Sequence, residues 1–168
     1  MTLPIVQAES GLVYSCLELG SYSGVLGHGY LPVGDGAIHT CTRSLASYDI
    51  SGIPSDATID SAVLELSAYY GFPDNLGGFE VYDINYEIPP NYSHAFTCHG
   101  IGFHYCPEGQ TPVESIDVTP PVRKAHRNHL SRWQIRMQFQ IQNNENGVSD
   151  ETAFLEGEDG CVLTITYT

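Results

Sequence analysis

Residues 43–66, RSLASYDISGIPSDATIDSAVLEL, decide the fold of this chain. A turn formed by Ser51-Gly52-Ile53-Pro54 separates two segments rich in strand-forming residues. In the second segment, Leu64 and Leu66 alternate with the polar residue Glu65, as in a strand with one buried face. A turn between two such segments indicates antiparallel pairing and favours an all-β fold.

The same two-residue alternation recurs along the chain. It predicts three clear strands, at Ala62–Tyr70, Trp133–Gln142 and Cys161–Thr168. Four weaker predictions are Leu12–Leu19, Thr40–Asp49, Gly78–Tyr86 and Val113–Val118. One short helix is predicted over Pro120–His129, since proline suits the first turn of a helix. Strands with one apolar and one wet face pack as two sheets, so we predict a single antiparallel, jelly-roll-like β-sandwich of about eight or more strands.

The stretch also carries a family resemblance. The Arg-Ser-Leu strand, the Asp-Ile-Ser-Gly-Ile-Pro turn and the Thr-Ile-x-Ser-Ala-x-Leu-x-Leu strand resemble the signature of DNRLRE-type β-sandwich domains. Ser115–Thr119 resembles the family's step into a short helix, and Leu163–Thr168 resembles its last strand. The resemblance covers residues 11–168, except for a departure at 87–111. It implies a jelly-roll-like module of extracellular surface proteins, some of which resemble carbohydrate-binding modules.

Length and charge narrow the classes of protein. We expect residues 1–168 to form one domain, with 87–111 as an atypical loop insert. The chain has no apolar run long enough to span a membrane and no signal peptide at its start, so we expect no membrane insertion. A net charge of −14 makes nucleic acid an unsuitable partner.

The charges are unevenly distributed. Residues 145–159 contain six acidic residues and no Lys or Arg, whereas five of the six basic residues lie between positions 123 and 136. This asymmetry predicts a basic surface that binds an acidic partner, an acidic glycan or the acidic end of another copy. Solvated charged faces remain the alternative. The five candidate residues are Arg123, Lys124, Arg127, Arg132 and Arg136.

A cluster of cysteines and histidines offers a metal site. Cys98, His99, His104 and Cys106 have the ligand types of a structural zinc site, although their spacing matches no standard finger. A disulfide between the two cysteines and ordinary loop thiols are the alternatives. We predict that the other three cysteines are buried core thiols, and the odd total of five favours a reducing compartment. These three are Cys16, Cys41 and Cys161.

Aromatic residues suggest sugar binding. Four of the 11 tyrosines, Tyr82, Tyr86, Tyr92 and Tyr105, are candidates for stacking on sugar rings, and the polar face of strand 133–142 offers hydrogen bonds. Packing at sheet edges is the alternative for these tyrosines. No nucleophile elbow or phosphate loop occurs, and Glu65 or Glu80 with Asp83 is a weak carboxylate pair. We therefore predict no catalytic residues and no enzyme activity.

These features lead to three functional expectations. The first is a non-enzymatic structural or adhesive surface protein. We expect it to be a virion component, namely a capsid decoration, cement or tail-associated protein that is made in the host cytoplasm. Its partners would be further copies of itself, a capsid or tail, and cell-surface glycan. The second is a carbohydrate-binding module of a secreted or cell-surface protein. The third is a glycan-active enzyme. No cofactor is expected beyond a structural zinc.

Overall fold

The structure is an all-β sandwich of two antiparallel sheets, as the sequence predicts. It is a computed structural model that describes residues 1–14, 23–25, 30–36, 40–67, 73, 75–86, 88, 102–105, 113–141, 146–155 and 160–168. No helix in these ranges is long and apolar enough to cross a membrane.

One sheet has four strands and the other has eight. The four-stranded sheet, in spatial order, consists of β1 (Thr2–Pro4), β12 (Cys161–Tyr167), β6 (Ile59–Ser67) and β9 (Val113–Asp117). The main path of the eight-stranded sheet consists of β11 (Asp150–Leu155), β4 (Tyr30–Gly36), β5 (Thr40–Asp49), β10 (Arg132–Phe139), β7 (Phe79–Ile84) and β8 (Gly102–Tyr105). The remaining strands of this sheet are β2 (Gly11–Tyr14), which pairs with β5, and β3 (Ser23–Val25), which pairs with β2.

The core lies between the inner faces of the two sheets. In the four-stranded sheet Leu64 lies opposite Leu163, and both side chains are fully buried. On the inner face of the eight-stranded sheet, Trp133 on β10 lies opposite Tyr48 of the neighbouring strand β5 and stacks on it, with ring centroids 5.6 Å apart. Burial of these apolar side chains is the main force that holds the two sheets together.

The diagnostic turn forms where β5 ends. The Asp49 carboxylate accepts a hydrogen bond from Ser51 N at 3.0 Å, and Ile53 N donates to Ile50 O at 3.1 Å. Ile50 and Ile53 are buried, so the turn carries two apolar anchors as well as its backbone bonds. This explains why one short segment so strongly indicates the fold.

A short helix closes this end of the sandwich. Helix α1 (Thr119–Arg127) begins with two prolines in its first turn, and the Thr119 side chain accepts a hydrogen bond from Ala62 N at 2.9 Å. Arg123 donates to the carbonyl oxygens of Ile59 and Asp60 at 2.7 and 2.9 Å. These contacts fix the helix to the start of β6.

Most element predictions are confirmed within a few residues, and two expectations need correction. The polar face of β10 is not exposed to water: Gln134, Arg136 and Gln138 are 4–7% exposed, and they contact Tyr86, Tyr82 and Glu80, respectively, of the segment 79–86. Cys41 is disulfide-bonded, to a partner outside the described residues, rather than a core thiol. Cys161 is the predicted buried thiol. The sequence also missed β1, β8 and β11, which are short or lack clear alternation, and it predicted a loop with one short strand over residues 20–36, where the structure has both β3 and β4.

Candidate functional site

Several predicted site residues lie outside the part of the chain that the structure describes. These are Cys98, His99 and Cys106 of the zinc candidate, and Tyr92 of the stacking candidates. His104 and Tyr105 lie on β8, opposite Glu80 and Phe79 of β7, but their side chains are not described. The zinc prediction therefore stays a prediction.

The five predicted basic residues divide among three places. Lys124 and Arg127 are exposed on the last turn of α1, and Arg123 binds the start of β6 from the same helix. Arg132 forms salt bridges at the start of β10, and Arg136 lies on the outer face of the eight-stranded sheet. The helix therefore carries three of the five cations, and the other two are used within the sheet.

Arg132 belongs to a structural ion-pair network. Its guanidinium donates to both carboxylate oxygens of Glu9, at 2.7 and 2.9 Å, and forms a salt bridge to Asp49 at 2.7 Å. Ser47 donates to the same Glu9 carboxylate at 2.8 Å. The bond from Arg132 is the main cause that lowers the pKa of Glu9. This network ties the short 3-10 turn Gln7–Glu9 to the eight-stranded sheet.

The outer face of the eight-stranded sheet holds a second polar group, which we call the outer-face cluster: Arg43, Glu80, Tyr82, Arg136 and Gln138. The Glu80 carboxylate accepts hydrogen bonds from the Tyr82 hydroxyl at 2.5 Å and from Gln138 Nε2 at 3.1 Å. The Arg136 guanidinium lies 4.7 Å from the centroid of the Tyr82 ring. An aromatic ring, an acid, an amide and a guanidinium thus meet on one face.

The two described stacking candidates differ in their accessibility. Tyr82 is half-buried, and burial, followed by its bond to Glu80, raises the pKa of its hydroxyl. Tyr86 is 5% exposed, and its hydroxyl donates to the Glu9 carbonyl at 2.9 Å. Tyr86 therefore holds the fold together, whereas the half-buried ring of Tyr82 keeps some exposed surface beside the buried polar groups Glu80 and Arg136.

A cavity lies at the end of the sandwich where α1 and the 50–55 turn meet. It has a volume of about 200 Å³ and is lined by Ile50, Ile53, His126, His129 and Leu130, among others. Its walls are fixed, because His126 Nε2 lies 2.9 Å from Pro54 O and Ile50 N donates to Ser131 O at 3.0 Å. We call this cavity and the last turn of α1 the helix end.

Sequence reasoning missed the most connected residue of the ion-pair network. Glu9 lies in a segment with no periodic pattern, 123 positions from Arg132, so no local signal links the two residues. The cavity has no short motif either, since its lining comes from two segments that the fold brings together. The helix cations, by contrast, were visible as a local run of charge.

Comparison with known proteins assigns no family to the chain. It matches no protein-family model and no curated protein.

Proposed function

We propose that this chain is a non-enzymatic structural or adhesive protein of a surface assembly, built on a DNRLRE-type, carbohydrate-binding-like sandwich. The proposed setting is a virion surface, where it would serve as a capsid decoration, cement or tail-associated protein made in the host cytoplasm. One observation carries the proposal: in a chain of net charge −14, Lys124 and Arg127 stand exposed together on the last turn of one helix.

The positive charge on the helix and the firm attachment of the helix to β6 both support this proposal. Two exposed cations on an otherwise acidic protein favour docking on an acidic neighbour in one orientation, because opposite charges steer the encounter and like charges disfavour other contacts. The helix that carries them is anchored to β6 through Arg123 and Thr119. A docking surface on a fixed helix loses little conformational freedom when it binds, which suits a structural role.

The test is co-purification with particles from the source of the protein. The variant Lys124→Gln/Arg127→Gln removes two positive charges from the helix. Its matched control, Ser115→Glu/Thr166→Glu, changes the net charge equally on exposed positions of the four-stranded sheet. We expect wild type and control to remain with particles through a density gradient, and the helix variant to be lost. Absence of wild-type protein from particles, or flanking genes that encode no capsid, portal or tail protein, would contradict the virion setting.

A second candidate is a carbohydrate-binding module of a secreted or cell-surface protein. The half-buried ring of Tyr82 in the outer-face cluster favours it, because partly exposed aromatic rings are the groups on which proteins stack sugars. The disulfide at Cys41 also favours an oxidising compartment.

Glycan binding tests the second candidate directly. Tyr82→Ala removes the ring beside Glu80 and Arg136, and Tyr30→Ala removes an exposed tyrosine from β4 as a control. We expect a glycan array to show binding by wild type and by the Tyr30 variant, with loss in the Tyr82 variant. Equal binding by all three proteins would remove the outer-face cluster from consideration.

A further inference from the structure

The turn that leads into β11 presents an asparagine that is followed by a glycine. Asn146-Gly147 is the one Asn-Gly pair in the sequence, and both residues are exposed, as is the next residue, Val148. Gly147 adopts φ 75°, and a Cβ at this position would meet no described atom within 4 Å. Because glycine has no side chain, the backbone nitrogen of Gly147 can approach the side chain of Asn146 without a steric barrier.

Hydrogen bonds hold both polar atoms of the Asn146 side-chain amide. Val148 N donates to Asn146 Oδ1 at 2.7 Å, and Asn146 Nδ2 donates to Asp150 Oδ2 at 3.2 Å. The bond at Oδ1 polarises the amide carbonyl, so the Cγ atom becomes more electrophilic. The same N–H group also stabilises the negative charge that develops on Oδ1 when a nucleophile attacks Cγ, as the donors of an oxyanion hole do.

We propose that Asn146 is a site of spontaneous deamidation in the folded protein. The Gly147 nitrogen attacks Asn146 Cγ, a nitrogen–carbon bond forms to close a succinimide ring, and the Cγ–Nδ2 bond breaks. The leaving nitrogen takes up the proton that Gly147 loses and departs as ammonia. Water then opens the ring at one of its two carbonyl carbons and produces aspartate or isoaspartate. The net reaction consumes one water and releases one ammonia, and it does not depend on the proposed function.

Asn75 shows why the following residue selects the site. Its amide donates to the same Asp150 oxygen at 2.6 Å, and Asn75 is exposed, as Asn146 is. The next residue along the chain, however, is Leu76, which is fully buried. Packing in the core holds Leu76 in place, so its backbone nitrogen does not move onto the Asn75 side chain. Asn75 is therefore an internal control for exposure and for the hydrogen bond to Asp150.

Deamidation changes the contacts at the start of β11. An aspartate at position 146 has no amide proton to donate, and it places a second carboxylate beside that of Asp150, where like charges repel. Isoaspartate also lengthens the main chain by one carbon, which displaces the Val148 amide from its acceptor. Asp150 pairs with Asp35 of β4, so we expect this edge of the eight-stranded sheet to open more often after deamidation. The modified protein also carries one negative charge more than the −14 of the unmodified chain.

The test is peptide mapping by mass spectrometry of the full chain after incubation at neutral pH and physiological temperature. We expect the peptide with Asn146 to convert progressively to aspartate and isoaspartate, while the peptide with Asn75 remains an amide. Gly147→Ala should slow the conversion roughly tenfold or more, because a side chain on the attacking residue hinders ring closure and disfavours φ 75°. Val148→Ala is the matched control, since it keeps the N–H donor and should convert like wild type.

A parallel incubation in urea measures how fast the Asn-Gly pair reacts without the fold. We expect the folded protein to convert within about tenfold of that rate, because the turn is exposed and Oδ1 keeps its donor. An Asn146 that stays an amide in the folded protein while the unfolded chain converts would overturn the inference. Equal conversion at Asn75, or an undiminished rate in Gly147→Ala, would overturn it as well.

Hydrogen exchange tests the structural consequence of the modification. The deamidated protein is separated from the unmodified protein by ion exchange, on the basis of its extra negative charge. We expect the amides at the start of β11 to exchange faster in the deamidated fraction, while those of β12 keep their rates. Identical exchange of β11 in the two fractions would contradict the predicted opening of this edge.

Discussion

The network around Glu9 makes a quantitative prediction about stability. Glu9→Gln keeps the shape of the side chain but removes the charge that binds Arg132 at 2.7 and 2.9 Å. The Glu9 side chain is 12% exposed and that of Arg132 27% exposed, so water replaces the lost interaction poorly. Arg132 retains its salt bridge to Asp49 at 2.7 Å, which limits the damage.

Two charge-assisted hydrogen bonds set the size of the effect. One such bond contributes about 1.5–3 kcal/mol to the free energy of unfolding. Because Arg132 keeps its salt bridge to Asp49, we expect the loss of both bonds to cost about as much as one bond, which is about 2–3 kcal/mol. For a domain of 168 residues, each kcal/mol lowers Tm by about 2–4 °C, so the variant melts roughly 5–10 °C below wild type.

The difference between the two proteins depends on pH. The bond from Arg132 lowers the pKa of Glu9 in the folded protein from its ordinary value of 4.5. Because the folded pKa is depressed, the ion pair contributes fully above the unfolded pKa and is lost as pH falls through the folded pKa. We therefore expect the gap between wild type and Glu9→Gln to be constant near neutral pH and to shrink below about pH 4.5.

Urea unfolding followed by the fluorescence of Trp133, the single tryptophan in the core, measures this gap at each pH. Asp49→Asn is the matched control, because the Asp49 side chain is 45% exposed in its salt bridge to the same arginine. We expect that control to lose about 1 kcal/mol or less. An unchanged midpoint for Glu9→Gln, or a gap that persists undiminished at pH 3, would refute the reasoning.

Three further predictions use paired variants or a single residue. Tyr48→Phe removes a buried hydroxyl that has no hydrogen-bond partner among the described residues, so we expect it to raise the free energy of unfolding in urea by about 1 kcal/mol. Tyr86→Phe loses the 2.9 Å hydrogen bond to the Glu9 carbonyl, so we expect it to lower the same free energy by a similar amount. Gly34→Ala, at φ 148°, places a Cβ 2.3 Å from a carbonyl of the paired strand and lowers Tm far more than Gly147→Ala, which meets open space and loses about 1 kcal/mol. Cys41→Ser removes a disulfide and loses about 2–4 kcal/mol, and intact mass with and without reductant confirms the bond. Equal effects within either pair, or a mass unchanged by reductant, would contradict these statements.

The fold could be predicted from the sequence because the patterns that indicate it involve residues close together in the chain. The alternation in β6 and β12 and the turn after β5 each depend on residues close together in sequence, and the structure confirms all three. The same local logic failed for the polar face of β10. Alternation shows which residues share a face, but it does not show what packs on that face, so Gln138 and Arg136 were expected in water and are buried.

The candidate surfaces could be predicted from the sequence only in part. Lys124 and Arg127 stand three positions apart on one helix, so their proximity follows from helical geometry alone. Arg132 and Arg136 belong to the same run of basic residues in the sequence. In β10, however, Arg132 pairs with Glu9, whereas Arg136 lies over the ring of Tyr82. Glu9, which binds Arg132, is too distant in sequence for any pattern to connect them.

The sequence by itself therefore determined the class of fold, the positions of the helix and of seven strands, and the uneven charge, because each follows from periodicity or composition. Only the tertiary structure decided which charges are used internally, which remain exposed at the helix end, and where a cavity opens beside Leu130. The physical reason is that these properties arise between segments far apart along the chain. Their interaction energies depend on distances and burial that exist only after the two sheets have packed.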